Sequence, residues 1–239
     1  MILVLFNNLA EKDKTRAIDR LITESTPRQE FFMMILLSIL MATFGLLIEN
    51  SAVIIGSMLI APMLYPILGV SLGVVMSDGK LISRSFYTIF KSTLIGVAGA
   101  ILITWFFGLN IDLGKEFISR TEPSIIYGTI AFISGLAASF ALVKPDLSET
   151  LPGIAISVSL IPPLAATGIG IAKLDWSVAS GAIIMFLLNM AGIIFASMIV
   201  FSLMNLYVKR NIVRKIITRE KKEMEQDIAK AKKLIGAKK

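Results

Sequence analysis

The chain contains no cysteine and no histidine. The first absence excludes disulfides, thiol chemistry and thiolate-bound metals. The second removes imidazole ligands, Ser-His-Asp triads and the usual proton shuttle near neutral pH. Charge is missing where the chain is most apolar, because six long hydrophobic segments carry no Asp, Glu, Lys or Arg. Proton-coupled pumps and cation antiporters commonly keep an acidic group near the membrane centre. The chain is therefore a poor fit to a central carboxylate relay. A Ser or Tyr nucleophile within these segments would find no base to activate it, so enzymatic activity is not expected, and no cofactor is expected.

What the sequence has in quantity is apolar surface. Of its 239 residues 55% are hydrophobic and 17% charged, with a mean hydropathy of +0.78, a composition that points to a multispanning membrane protein. The six segments run from 31 to 48, 51 to 76, 92 to 109, 124 to 143, 151 to 172 and 176 to 207. Each is long enough to cross about 30 Å of hydrocarbon at roughly 1.5 Å per residue. Thr26, Pro27 and Gln29 form a start signal for the first, as cap, first helical residue and capping-box partner. The opening MILVLF is too short for a signal-peptide core and lacks a small-residue cleavage site; it reads as a short strand or the stump of a soluble domain.

Basic residues set the expected orientation. The arm before residue 31, the second and fourth loops and the tail from Lys209 hold 21 Lys and Arg, against Lys115, Arg120 and Lys173 on the opposite side. By the positive-inside rule both termini face the cytoplasm of a multi-pass cell-membrane protein. The net charge of +7 is thereby explained without nucleic acid as a partner. Residues 78 to 91 place Leu81, Ile82, Phe86, Ile89 and Phe90 against Lys80, Arg84 and Lys91, a pattern expected of a separate helix lying in the cytoplasmic interface. The tail from 209 to 235 reads as a solvated continuation of the sixth helix, with a coiled-coil contact or anionic lipid as alternatives.

Prolines interrupt two of the apolar segments. Pro62 and Pro66 stand in SMLIAPMLYPILG, and Pro162 and Pro163 in VSLIPPLAATGIG. Proline has no N–H for the carbonyl four residues back, so the carbonyls of Met58, Pro62, Val158 and Ser159 are expected to lose helical partners. In hydrocarbon such breaks survive only inside protein or beside a watery cavity. An offset of 101 residues superposes Leu59, Ile60, Pro62 and Gly69 on Leu160, Ile161, Pro163 and Gly170, and an offset of 96 superposes TFGLL (43 to 47) on SFALV (139 to 143). Three spans is an odd number, so two tandem copies enter the membrane from opposite sides, which is a recurring transporter plan.

At IENSAVIIGSMLIAPMLYPILG and ISVSLIPPLAATGIGIA the chain resembles a prokaryotic family of uncharacterised hydrophobic membrane proteins, domain of unknown function three-eight-nine, over roughly residues 30 to 207. The specific parts are Glu49-Asn50-Ser51, the Ala61-Pro62 and Tyr65-Pro66 steps and Leu160-Ile161-Pro162-Pro163-Leu164. Tyr65-Pro66 departs from the Gly-Pro usual at that place in the family. The resemblance implies an integral membrane protein and no settled activity.

The expected fold is all-α: a polytopic membrane helix bundle of about six transmembrane spans, arranged as two inverted three-span repeats with proline-broken second helices. Its parts are a cytoplasmic arm (1 to 30), a first repeat (31 to 109), an extracytoplasmic loop (110 to 123), a second repeat (124 to 207) and a basic helical tail (208 to 239). Candidate ligand-binding groups are Ser57, Met58, Pro62, Tyr65, Pro66, Val158, Ser159, Pro162, Pro163, Thr167 and Asn189, with Ser157 as a further hydroxyl. Freed carbonyls and hydroxyls suit an alkali cation, whereas restarting helix N-termini suit an anion; the residues leave both open. Asn189, whose repeat counterpart reads as Gly96, fits an interhelical hydrogen-bonder as well. Glu49 and Asn50 at an outer turn, and Asp146 and Glu149 at an inner one, are candidate mouth residues, although helix capping explains Asn50, Asp146 and Glu149 as well. No metal site is specified. The reading is a small transporter or channel for a small ion or polar solute, embedded in the lipid bilayer and expected to be a homo-oligomer. The alternative is a non-transporting membrane scaffold or sensor acting through its ends.

Overall fold

The computed structural model of the chain describes residues 11 to 144, 147, 159 to 206 and 216 to 227. Among the described residues the fold is helical, without strands. The elements are α1 (Glu11–Glu24), α2 (Gln29–Leu47), α3 (Ser51–Ile60), α4 (Leu64–Val75), α5 (Gly79–Ile103), α6 (Lys115–Ile118), α7 (Ile125–Val143), α8 (Ile161–Ala172) and α9 (Trp176–Leu203). Residues 216 to 227 form a further helix, α10.

Among the described residues four helices are long and apolar enough to cross a membrane: α2, α5 with its extension to Gly108, α7 and α9. The pair α3 and α4, bent by 50° at its break, passes the same test when taken together, as a broken span or a re-entrant loop. The expected segment from 151 to 172 is described only from residue 159 onward. Interhelical turns are written in the sequence. Asn50 accepts from the N–H groups of Ala52 and Val53, and Asp78 from those of Lys80 and Leu81, supplying donors at helix starts with the partners they lack.

Three local expectations are corrected. Residues 78 to 91 are no separate interfacial helix: α5 runs unbroken from Gly79 to Ile103 and ends in a π-helical turn, Thr104–Gly108. Its amphipathic first half carries a second polar stripe, Ser85, Thr88 and Ser92, that is fully buried. The helix thus packs against protein along that face while Phe86, Tyr87 and Phe90 stay exposed. Thr26 does not cap α2. Its hydroxyl donates to the Ile22 carbonyl at 2.8 Å, and α2 begins after Arg28 without a side-chain cap. The tail is not simply solvated, because Glu220 of α10 is 2% exposed. Glu220 accepts from Arg28 at 2.8 Å and from Thr23 at 3.1 Å, and Arg219 pairs with Asp19 at 2.9 Å. Burial pushes the Glu220 carboxyl up. The hydrogen bonds from Arg28 and Thr23 and the charges of Arg28 and Arg219 outweigh that and hold it below its usual range.

Two pairs of helices have equal lengths at similar spacings along the chain. Helices α2 and α7 each have 19 residues, 96 positions apart. Helices α4 and α8 each have 12, and an offset of 97 carries Leu64–Val75 onto Ile161–Ala172. The same offset places Pro66 on Pro163, Gly73 on Gly170 and Asp78 on Asp175. It also superposes two turns in detail. The N–H of Asp78 donates to Gly73 at 2.9 Å and that of Asp175 to Gly170 at 2.9 Å; the preceding Ser77 and Leu174 both have left-handed backbones, at φ 51° and 59°. The bounds of these two helices thus lie 97 residues apart, four fewer than the offset of 101 that aligns Leu59, Ile60, Pro62 and Gly69 with Leu160, Ile161, Pro163 and Gly170. Packing follows the same pattern, since α4 lies against α5 and α9, and α8 lies against α9 and α5.

Candidate functional site

Prolines start helices here rather than interrupt them. Pro66 is the third residue of α4, and Pro162 and Pro163 are the second and third of α8. First-turn N–H groups have no intrahelical acceptor, so these positions cost no hydrogen bond. The Pro62 and Ser159 carbonyls accordingly lie ahead of these helices rather than within one. Only Pro62 lies in a true interruption, between Ile60 and Leu64, where it leaves the Met58 carbonyl without its i+4 donor. Just above this break the buried Ser38 hydroxyl donates to the Ser57 carbonyl at 2.6 Å, while the Ser57 hydroxyl donates to Ile54 at 2.6 Å. The half-helices are enclosed by protein. Pro66, Pro162 and Pro163 are buried, Pro62 is half-buried, and residues 160 to 170 are buried without exception. Close approach makes that possible: a Cβ on Gly168 would sit 2.8 Å from the Val97 carbonyl and 3.2 Å from the Ile101 nitrogen of α5.

A polar constellation surrounds the start of α8. Ser159, with φ 48°, presents its carbonyl to Asn189 Nδ2 at 3.3 Å and its hydroxyl to Arg120 Nη1 at 3.0 Å. Asn189 lies thirteen residues into α9, about 20 Å along it, and is 2% exposed. Arg120 comes from the connection between α5 and α7, which is anchored by fully buried Phe117. Thr121 is pressed so close to α9 that a Cβ on Gly181 would overlap its carbonyl oxygen. Arg120 Nη2 stands 3.7 Å from Glu116, whose carboxylate accepts from Ser51 at 2.7 Å. Within this constellation Arg120 Nε and Asn189 Oδ1 are buried without a partner; elsewhere among the described residues the same holds for the hydroxyls of Ser85, Ser92 and Ser197. The start of α4 has a counterpart, because half-buried Tyr65 reaches the guanidinium of Arg20 on α1, beside Glu24.

Of the sequence-derived candidates, Ser159 and Asn189 are brought together, and Ser57, Met58, Pro62, Tyr65 and Pro66 cluster at the other break. Thr167 donates to its own helix at Pro163, 2.8 Å away. Val158, Ser157, Asp146 and Glu149 lie outside the described residues. Glu49 takes a left-handed turn at φ 54°, its carboxylate folding over Gly114, while Asn50 caps α3. Among the described residues no group of acidic side chains could hold a metal ion. Arg120 and Arg20 were not foreseen. Both served in the sequence only as orientation charges, and nothing in SRTEP marks an arginine that folds back into the bundle.

These helices define a multi-pass helical membrane protein. The family model described as domain of unknown function DUF389 matches residues 58–195, and the chain belongs to that family. The uncharacterised protein MJ0678 of Methanocaldococcus jannaschii is 29% identical over 174 residues, covering 73% of this chain and 54% of that protein. The chain thus spans about half the length of the curated relative it matches. No solved structure matches it.

Proposed function

We propose that the chain is the membrane core of a small transporter or channel for a small ion or polar solute, with its site at the starts of α4 and α8. The carrying observation is the pair of 12-residue helices, one 97-residue offset apart, that begin inside the bundle behind first-turn prolines. Two copies of an odd-numbered unit run in opposite senses, so the pair reads as an inverted repeat, with α4 directed to one face and α8 to the other. The basic ends put both termini in the cytoplasm of the cell membrane. Reconstitution into proteoliposomes, with flux of Na⁺, K⁺, Cl⁻ and small organic solutes, tests the proposal. Flux above empty vesicles for at least one is expected; background for all contradicts it.

One observation favours a second reading, a scaffold or sensor acting through its ends: the docking of α10 on α1 through Glu220 and Arg219. On that reading deleting residues 212 to 239 abolishes the cellular phenotype, whereas replacing Pro66 and Pro163 does not.

A further inference from the structure

The constellation at α8 has two unmet demands of opposite kind. Arg120 Nε is a charged donor and Asn189 Oδ1 a neutral acceptor, and both side chains are tied to the same residue, Ser159. Each is buried where an unmade hydrogen bond is costly. The guanidinium and the positive end of the α8 dipole together disfavour an alkali cation. A bare halide would satisfy Arg120 but would face the Asn189 oxygen without a donor to offer it. The α8 terminus also has few N–H groups to give, since Pro162 and Pro163 occupy its second and third positions. The anionic group must therefore be held mainly by Arg120.

From this geometry we propose, resting on the transporter reading above, that Arg120, Ser159 and Asn189 bind a small organic acid carrying an amino or hydroxyl group. Its carboxylate accepts from the Nε edge of Arg120, in competition with Glu116, and its N–H or O–H donates to Asn189 Oδ1. Ser159 holds the two side chains in register. Access is from the face that carries the 109-to-124 connection.

The test uses the full chain in lipid nanodiscs and in proteoliposomes, with L-lactate, glycine, acetate, methylammonium and chloride at constant ionic strength. Lactate or glycine should raise the thermal midpoint, with acetate at least tenfold weaker and methylammonium and chloride without effect. Arg120→Gln should weaken binding tenfold or more. Arg120→Lys, which keeps the charge, should retain part of it and controls for folding. Asn189→Leu should bring lactate down to the level of acetate, a selectivity change that general destabilisation does not produce. No shift with either acid, or shifts indifferent to Arg120→Gln, overturns the proposal. Flux of cations or neutral solutes that ignores Arg120 also overturns it, yet leaves the transporter reading standing. Acid binding without any flux retains this site and removes the transporter reading.

Discussion

Replacing Ser38 by alanine probes how the chain tolerates a helix break inside its bundle. At the end of α3 the Pro62 ring removes one donor, and the helix bends by 50° before α4. The Ser38 hydroxyl, fully buried, supplies a donor from α2 to the Ser57 carbonyl at 2.6 Å. The hydroxyl of Ser57 itself is committed to the Ile54 carbonyl. Interhelical hydrogen bonds in membrane proteins contribute about 0.6 kcal/mol on average and about 1.7 at most. A short bond to a carbonyl beside a break belongs near the upper end, so Ser38→Ala should cost about 1.5 kcal/mol. Reversible unfolding in mixed micelles measures it, with Ser180→Ala as control, since that exposed hydroxyl bonds only within its own helix. A loss for Ser38→Ala no larger than for the control would refute the idea that α2 secures the end of α3 beside the break.

Other substitutions test the packing and the docked tail. Gly168→Ala should destabilise by about 1–3 kcal/mol, the usual cost of overpacking, because its Cβ would meet the backbone of α5; Gly79→Ala, with nothing within 4 Å, should stay within about 0.5 kcal/mol in the same unfolding assay. The Glu220 carboxyl, held below its ordinary range by Arg28 and Thr23 despite burial, binds α1 as an anion. Docking of α10 should be complete above about pH 4.3, the unperturbed Glu value, and be lost as pH falls through the depressed one. Spin labels at exposed Lys12 and Lys222 should then show a narrow distance distribution at neutral pH and a broad one in acid. Glu220→Gln should broaden it at every pH, and an unchanged distribution in that variant would remove the latch.

Much of the bundle is legible in the sequence because hydrocarbon enforces simple rules. Long uncharged runs marked α2, α7 and α9, and Asn50 announced its cap. The 97-residue spacing of α4 and α8 differs by four residues from the offset of 101 that the apolar residues offered. Shifting an apolar helix by four residues returns nearly the same face, so hydrophobic similarity barely distinguishes an offset of 101 from 97. The polar turn residues do distinguish them, since Asp78 and Asp175 align only at 97. The prolines signalled the right places but not the right role, because helix start and helix break share one residue type. Residues 78 to 91 misled because Lys80, Arg84 and Lys91 opposite an apolar face describe a helix lying in the interface as well as they describe the first turns of a longer helix. Arg120 was illegible because its position depends on Phe117 and on the fit of Thr121 against Gly181, contacts between residues distant in sequence.

Aqueous thiol labelling tests the central claim most directly, and the cysteine-free chain makes every introduced cysteine unique. Ser159→Cys and Tyr65→Cys should react with a membrane-impermeant methanethiosulfonate, each from the opposite side of a sealed vesicle. Both should react at least tenfold faster than Ile184→Cys and Ile199→Cys on the outward face of α9, where the native side chains are 52% and 47% exposed. Labelling of both sites from one side, or rates equal to those of the outward positions, would contradict the pair of half-helices opening to opposite faces.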